Sequence, residues 1–271
     1  RLTPANAIGG ILSVAPKPDD AGVVFVTGGY GLVQLTRNGD QWDVTYPIDG
    51  CRLAADVTFA PSDPNTLYTT WMVPNDAFWN GDGLPKLTRG TFDGVAWQWQ
   101  TALIDTQIAR QFNTLAVHPT DMRIVYGGDS GLGIGHTADA GASWNAVNQG
   151  LEAVIVYDVD VEATDTRHMI AASASGLFER PAGATRWERR HTGFFISVRF
   201  HPADGDRYYA GMAGYLARTA DNGATWEYSA WLDSADVDDI AIAPGDPRTI
   251  FIATGFNGRQ AEFVVGFGRH I

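Results

Sequence analysis

Thr137-Ala138-Asp139-Ala140-Gly141-Ala142-Ser143-Trp144 returns 82 positions later as Thr219-Ala220-Asp221-Asn222-Gly223-Ala224-Thr225-Trp226. Both read Thr-x-Asp-x-Gly-x-Ser/Thr-Trp, a turn between two strands. The Asp carboxylate accepts backbone N–H groups of its own turn, and Gly supplies the positive φ of a tight reversal. The Ser/Thr hydroxyl ties the loop, and the Trp opens the next strand with its ring against the core.

Outward from these two turns a repeat emerges. Its unit is an apolar strand ending near Pro, a polar turn, a second strand, Gly, a third strand, the turn motif and Trp. Copies start at Ile11, Asp56, Thr114, Asp158, Ser197 and Asp239, and motif-end tryptophans fall at 42, 97, 144, 187 and 226. The resulting 39 to 55 residues per unit suit one four-stranded propeller blade. The expected fold is all-β: a six-bladed β-propeller of four-stranded antiparallel blades, one domain over 1–271. Blades are placed at about 8–50, 51–105, 106–152, 153–192, 193–234 and 235–271. The sixth copy lacks an outer strand, and residues 2–7 are expected to pair there and close the ring, removing exposed edges.

The motif resembles the Asp-box (BNR repeat) of sialidases, sortilin-like receptors, xyloglucan-cleaving glycoside hydrolases and photosystem assembly factors. That resemblance implies that Asp139, Gly141, Trp144, Asp221, Gly223 and Trp226 are structural. It also implies an extracytoplasmic (secreted or periplasmic) setting, since such propellers are frequently exported. The chain opens on Arg1, as expected of a processed or trimmed chain.

Composition narrows the function. A formal charge of −12 with 19 scattered Lys and Arg residues argues against nucleic acid and anionic membranes as partners. No apolar run reaches the ~18 residues of a membrane-spanning helix. The lone Cys51 permits no internal disulfide and reads as a small buried residue. No cofactor or metal site is expected. Asp and Asn spacing in the 70–83 loop departs from the EF-hand pattern, and His118 and His201 occupy matching repeat positions.

Two clusters carry chemistry. The 70–83 loop of the second blade is longer than its counterparts, and long loops in compact domains tend to be functional. Trp71, Asn75, Asp76, Trp79 and Asp82, with Arg110 from the following loop, are the candidate ligand-binding residues, by sugar stacking and hydrogen bonding. The alternative is that the loop's aromatics pack inward. Asp56, Asp158 and Asp239 share one register on innermost strands and would line the channel mouth. Convergent carboxylates raise one another's pKa and serve as general acid and base, whereas carboxylates that cap their strands are structural.

Residues 56–144 are similar to the N-terminal propeller of xyloglucan-active glycoside hydrolases, sharing Pro61-Ser62-Asp63-Pro64-Asn65, the Trp-bearing loop and Ala109-Arg110-Gln111-Phe112. Those enzymes use two propellers and a general-base Asp, where this chain has one repeat set and Val26-Thr27-Gly28-Gly29-Tyr30. Arg52, Arg110, Arg199 and Arg259 do not map onto the sialidase arginine triad. The expected role is a non-catalytic binding or scaffold propeller for a protein, peptide or glycan, of unassigned oligomeric state. The alternative is a glycoside hydrolase or lyase acting on a polysaccharide.

Overall fold

The structure, a computed structural model, describes residues 11–72, 85–152, 155–229, 232, 236–242, 247–256 and 259–265. Every regular element among them is a β-strand. Contacts divide the chain into two units, 1–147 and 148–271.

The first unit holds three four-stranded antiparallel meanders. Sheet one is β1 (Ile11–Lys17), β2 (Asp20–Gly28), β3 (Gly31–Asn38) and β4 (Gln41–Thr45). Sheet two is β5 (Arg52–Ala60), β6 (Asp63–Met72), β7 (Pro85–Phe92) and β8 (Trp97–Leu103). Sheet three is β9 (Phe112–Val117), β10 (Val125–Asp129), β11 (Gly133–Thr137) and β12 (Asn145–Ala146).

The second unit begins with β13 (Val156–Val161), β14 (Met169–Ser173), β15 (Gly176–Arg180) and β16 (Glu188–Thr192). Next come β17 (Phe195–His201), β18 (Asp204–Met212), β19 (Tyr215–Thr219) and β20 (Glu227–Tyr228). Its last sheet is β21 (Val237–Ile242), β22 (Ile250–Phe256) and β23 (Arg259–Val265), three-stranded among the described residues. Six meanders of one design make the fold the all-β, propeller-type one. Residues 2–7, expected to complete the last sheet, lie outside the described residues.

Burial follows strand rank. All of β10 and β14 is buried, whereas β4 and β16 are exposed or half-buried throughout. Middle strands are covered on both faces, so they read as runs of apolar and small residues rather than strict alternation. Outer strands face water. The main cores fill the space between neighbouring sheets of one unit: Phe25 and Leu32 meet Phe59 and Leu67, and Ile170 and Leu177 meet Phe195 and Tyr208. Cys51 is buried in the first of these, and burial pushes its thiol up to about 11.

The two motif turns match atom for atom. Asp139 Oδ1 accepts the Ser143 N–H at 2.8 Å and Oδ2 the Ser143 hydroxyl at 2.6 Å. Asp221 does the same with Thr225 at 2.8 and 2.6 Å. The Thr137 and Thr219 hydroxyls accept the Gly141 and Gly223 N–H groups, both at 2.9 Å. Gly141 and Gly223 sit at φ of 96° and 79°. The Ser143 hydroxyl, with the Ser143 N–H, holds the Asp139 carboxyl down at about 2. Trp187 is buried, whereas Trp144 and Trp226 are half-buried against their cores.

Candidate functional site

Of the three carboxylates expected at the channel mouth, Asp56 and Asp158 are cross-links between sheets. Asp56 on β5 accepts the Val57 N–H at 2.8 Å through Oδ1 and the Leu115 N–H of β9 at 2.6 Å through Oδ2. Asp158 on β13 accepts Val159 N–H and, from β17, Val198 N–H, both at 2.9 Å. Asp160 repeats the arrangement with Val161 at 3.0 Å and Phe200 at 2.8 Å. Each carboxylate bridges the innermost strands of adjacent sheets and satisfies donors at a bulge or edge that the ladder leaves unpaired.

Ser13 and Ser197 occupy the corresponding place on β1 and β17, and their hydroxyls donate to the Val57 and Val237 carbonyls at 3.4 and 2.7 Å. Asp239, on β21 of the last sheet, accepts its own Ile240 N–H at 2.8 Å and is 61% exposed.

Around Arg199 the second unit concentrates charge. The guanidinium lies 3.6 Å from Asp158, 3.6 Å from Asp160 and 3.4 Å from Asp239, and its Nε donates to the Ile240 carbonyl at 3.2 Å. Burial pushes the Asp158 carboxyl up to about 7, against the pull of Arg199 and the Val198 N–H. Asp160 is raised by burial in the same way. Burial, with Asp236 and Asp239 beside it, lifts Asp238 to about 6. Asp158 and Asp239 are thus brought together through Arg199. Asp56 belongs to the first unit.

The ligand-binding candidates fare differently. Trp71 is 5% exposed and lies in the core with Cys51, Ala54 and Leu67. Its Nε1–H donates to the Thr88 hydroxyl at 2.7 Å, and the Lys86 ammonium sits 4.5 Å from its ring centroid. This corrects the expectation of a sugar platform there: alternation along β6 turns the indole inward, where it satisfies both its apolar ring and its N–H. Asn75, Asp76, Trp79 and Asp82 lie outside the described residues. Arg110 is exposed before β9, its N–H bonded to Asp129.

Sequence reasoning passed over Asp129, Asp160 and the role of Arg199. Fully buried Asp129 accepts the N–H groups of Arg110, Gln111, Gly131 and Leu132, all at 2.8 Å, fixing the loop that carries Arg110. The signal available for Asp160 was its i+2 spacing from Asp158, which puts both on one strand face.

Asp158→Ala is expected to cost about 2–3 kcal/mol, because two buried backbone donors lose their acceptor. Asp239→Ala, at the exposed equivalent, is expected to cost under about 1 kcal/mol. Equal midpoints in urea unfolding of the two variants would refute the cross-link reading.

No protein-family model matches the chain, and no curated protein matches it in sequence. Solved structures share its fold. The GH74 xyloglucanase of Xanthomonas campestris superposes with a TM-score of 0.71 at 18% identity over 96% of this chain and 45% of that one. An ancestral GH74 enzyme gives 0.66 at 16% identity, covering 96% of this chain and 36% of its own. The extracellular domain of a protein described as a hybrid two-component system from B. thetaiotaomicron gives 0.65 at 10% identity, covering 98% and 34%. The chain therefore spans less than half the length of each of these three proteins. Among the described residues no helix is long and apolar enough to cross a membrane, and no group of three or more His, Cys, Asp or Glu is placed to hold a metal.

Proposed function

We propose that the chain is a non-catalytic binding propeller of the Asp-box type, a single six-bladed domain closed by residues 2–7, with a glycan as its favoured partner. One observation carries the non-catalytic part. Asp56 and Asp158 each spend both oxygens on backbone N–H groups, so neither is poised to deliver or take a proton without undoing a strand cross-link. The identical hydrogen bonding of the turns at Asp139 and Asp221 supports the Asp-box assignment. The extracellular neighbour supports an extracytoplasmic setting. Arg110 with Asn75, Asp76, Trp79 and Asp82 is the proposed partner surface; Trp71 is not part of it.

A second reading, a glycoside hydrolase or lyase, is favoured by Asp238, whose carboxyl is raised to about 6 as a general acid requires. Incubation with soluble β-glucan, xylan, mannan and polygalacturonate separates the two. The binding reading expects no new reducing ends or unsaturated products, and product formation abolished by Asp238→Asn would overturn it. Replacing residues 73–81 by a short Gly-containing turn tests the surface: partner affinity is expected to fall while the unfolding transition persists.

A further inference from the structure

A cavity of about 780 Å³ opens between sheets one and two of the first unit. It lies where β1–β2, β5–β6 and β7–β8 reverse, the sheet end that carries turns equivalent to the motif, opposite the end where β6 stops at Met72 and β7 starts at Pro85. Its aromatic wall is Phe92, Trp97 and Trp99. Trp97 is pinned edge-on to Phe25 at 5.0 Å, tilts against Phe92 at 5.4 Å and stacks on Trp99 at 5.7 Å and 25°. A Cβ at Gly90 would overlap the Trp99 ring, so Gly90 makes the seat on which that indole rests. Both indoles remain half-exposed although packing holds them in place. The Asp93 turn, accepting Val95 and Ala96 N–H at 2.9 Å, fixes the start of β8.

Polar side chains complete the lining: Gln34 and Asp20 on the facing wall of sheet one, and Asn65 beside Phe92 on the aromatic wall itself. The cation of the cavity, Lys17, is ion-paired with Asp19 and lies 5.8 Å from the Phe92 centroid. Rigid aromatic rings facing an amide and a carboxylate, with a second amide beside them, match the C–H faces and hydroxyl edges of pyranose rings. The volume is that of a ligand site. Two carboxylates against one paired lysine, in a chain of charge −12, disfavour acidic sugars.

We propose that the Phe92–Trp97–Trp99 cleft binds a neutral oligosaccharide. This rests on the glycan-binding reading above but not on the 73–84 loop as its surface. The test is isothermal titration of the full chain with cellohexaose, xylohexaose and mannohexaose, with hexagalacturonate as the acidic comparison. At least one neutral hexasaccharide is expected to bind, Trp99→Ala to weaken it about tenfold or more, and Gln34→Ala about threefold to tenfold. Gln34→Ala alters a half-buried polar position on β3 outside the apolar core, so its affinity loss is readable even where Trp99→Ala perturbs folding.

No binding of any neutral probe, binding of hexagalacturonate alone, or neutral binding unchanged in both variants would overturn the proposal. Neutral binding lost on replacing 73–81 but unchanged in both cleft variants overturns the cleft and leaves the proposed function standing. Release of products from a hexasaccharide whose binding needs Trp99 overturns the non-catalytic reading and leaves the cleft standing.

Discussion

His168→Ala is expected to cost about 3–5 kcal/mol, because it strands two buried carboxylates. His168 Nδ1 bonds Glu162 at 2.8 Å and Nε2 bonds Glu179 at 2.9 Å, and Glu179 is also held by Arg190 at 2.6 Å. The His168 and Glu179 side chains are 8% and 2% exposed. Burial alone would lower the imidazolium pKa, but its bonds to Glu179 and Glu162 outweigh burial and raise it above 6.5. Burial likewise works against ionised Glu179, and His168 and Arg190 outweigh it, lowering that carboxyl below 4.5.

The histidine's contribution is full below pH 6.5 and is lost as pH rises through its raised folded value. The Glu179 contribution is full above 4.5 and is lost as pH falls through its lowered one. The stability difference between the native chain and His168→Gln, from urea unfolding, is therefore expected to shrink between pH 6 and pH 9. A difference that grows with pH would show that the imidazole is held neutral.

Trp187→Ala is the other large effect, again about 3–5 kcal/mol. Trp187 is 1% exposed, its backbone N–H bonds the Gln149 carbonyl at 2.8 Å, and the Arg180 guanidinium lies 5.7 Å from its ring. It ends the most decayed copy of the turn motif, Pro181-Ala182-Gly183-Ala184-Thr185-Arg186-Trp187, which has no Asp. Trp226→Ala, at the end of an intact copy but half-buried, is expected to cost about 1–3 kcal/mol. Thermal unfolding of both variants checks the order. A smaller loss at Trp187 would mean that the intact turn, rather than the ring, anchors the outer strand.

Sequence periodicity made the fold legible because every sheet solves the same burial problem with the same order of residues. Turn chemistry is local, and Thr137, Asp139, Gly141 and Ser143 complete one another within seven residues of chain. Those four positions needed no tertiary partner to be read.

The site was less legible because its residues take their meaning from other strands. Asp158 is a cross-link only because Val198 N–H arrives from the next sheet, 40 residues on. Trp71 looked like a platform beside Asn75 and Asp76, yet its place on β6 turns it into the core. Trp97 read as a motif-end tryptophan opening an outer strand, and only the turns of sheet one supplied the wall it faces. By itself, the sequence determined the repeat, its strands and its turns, all set by neighbours along the chain. Only the tertiary structure decided which carboxylates are spent, which indoles are covered and where a cavity remains, since those depend on which sheet packs against which.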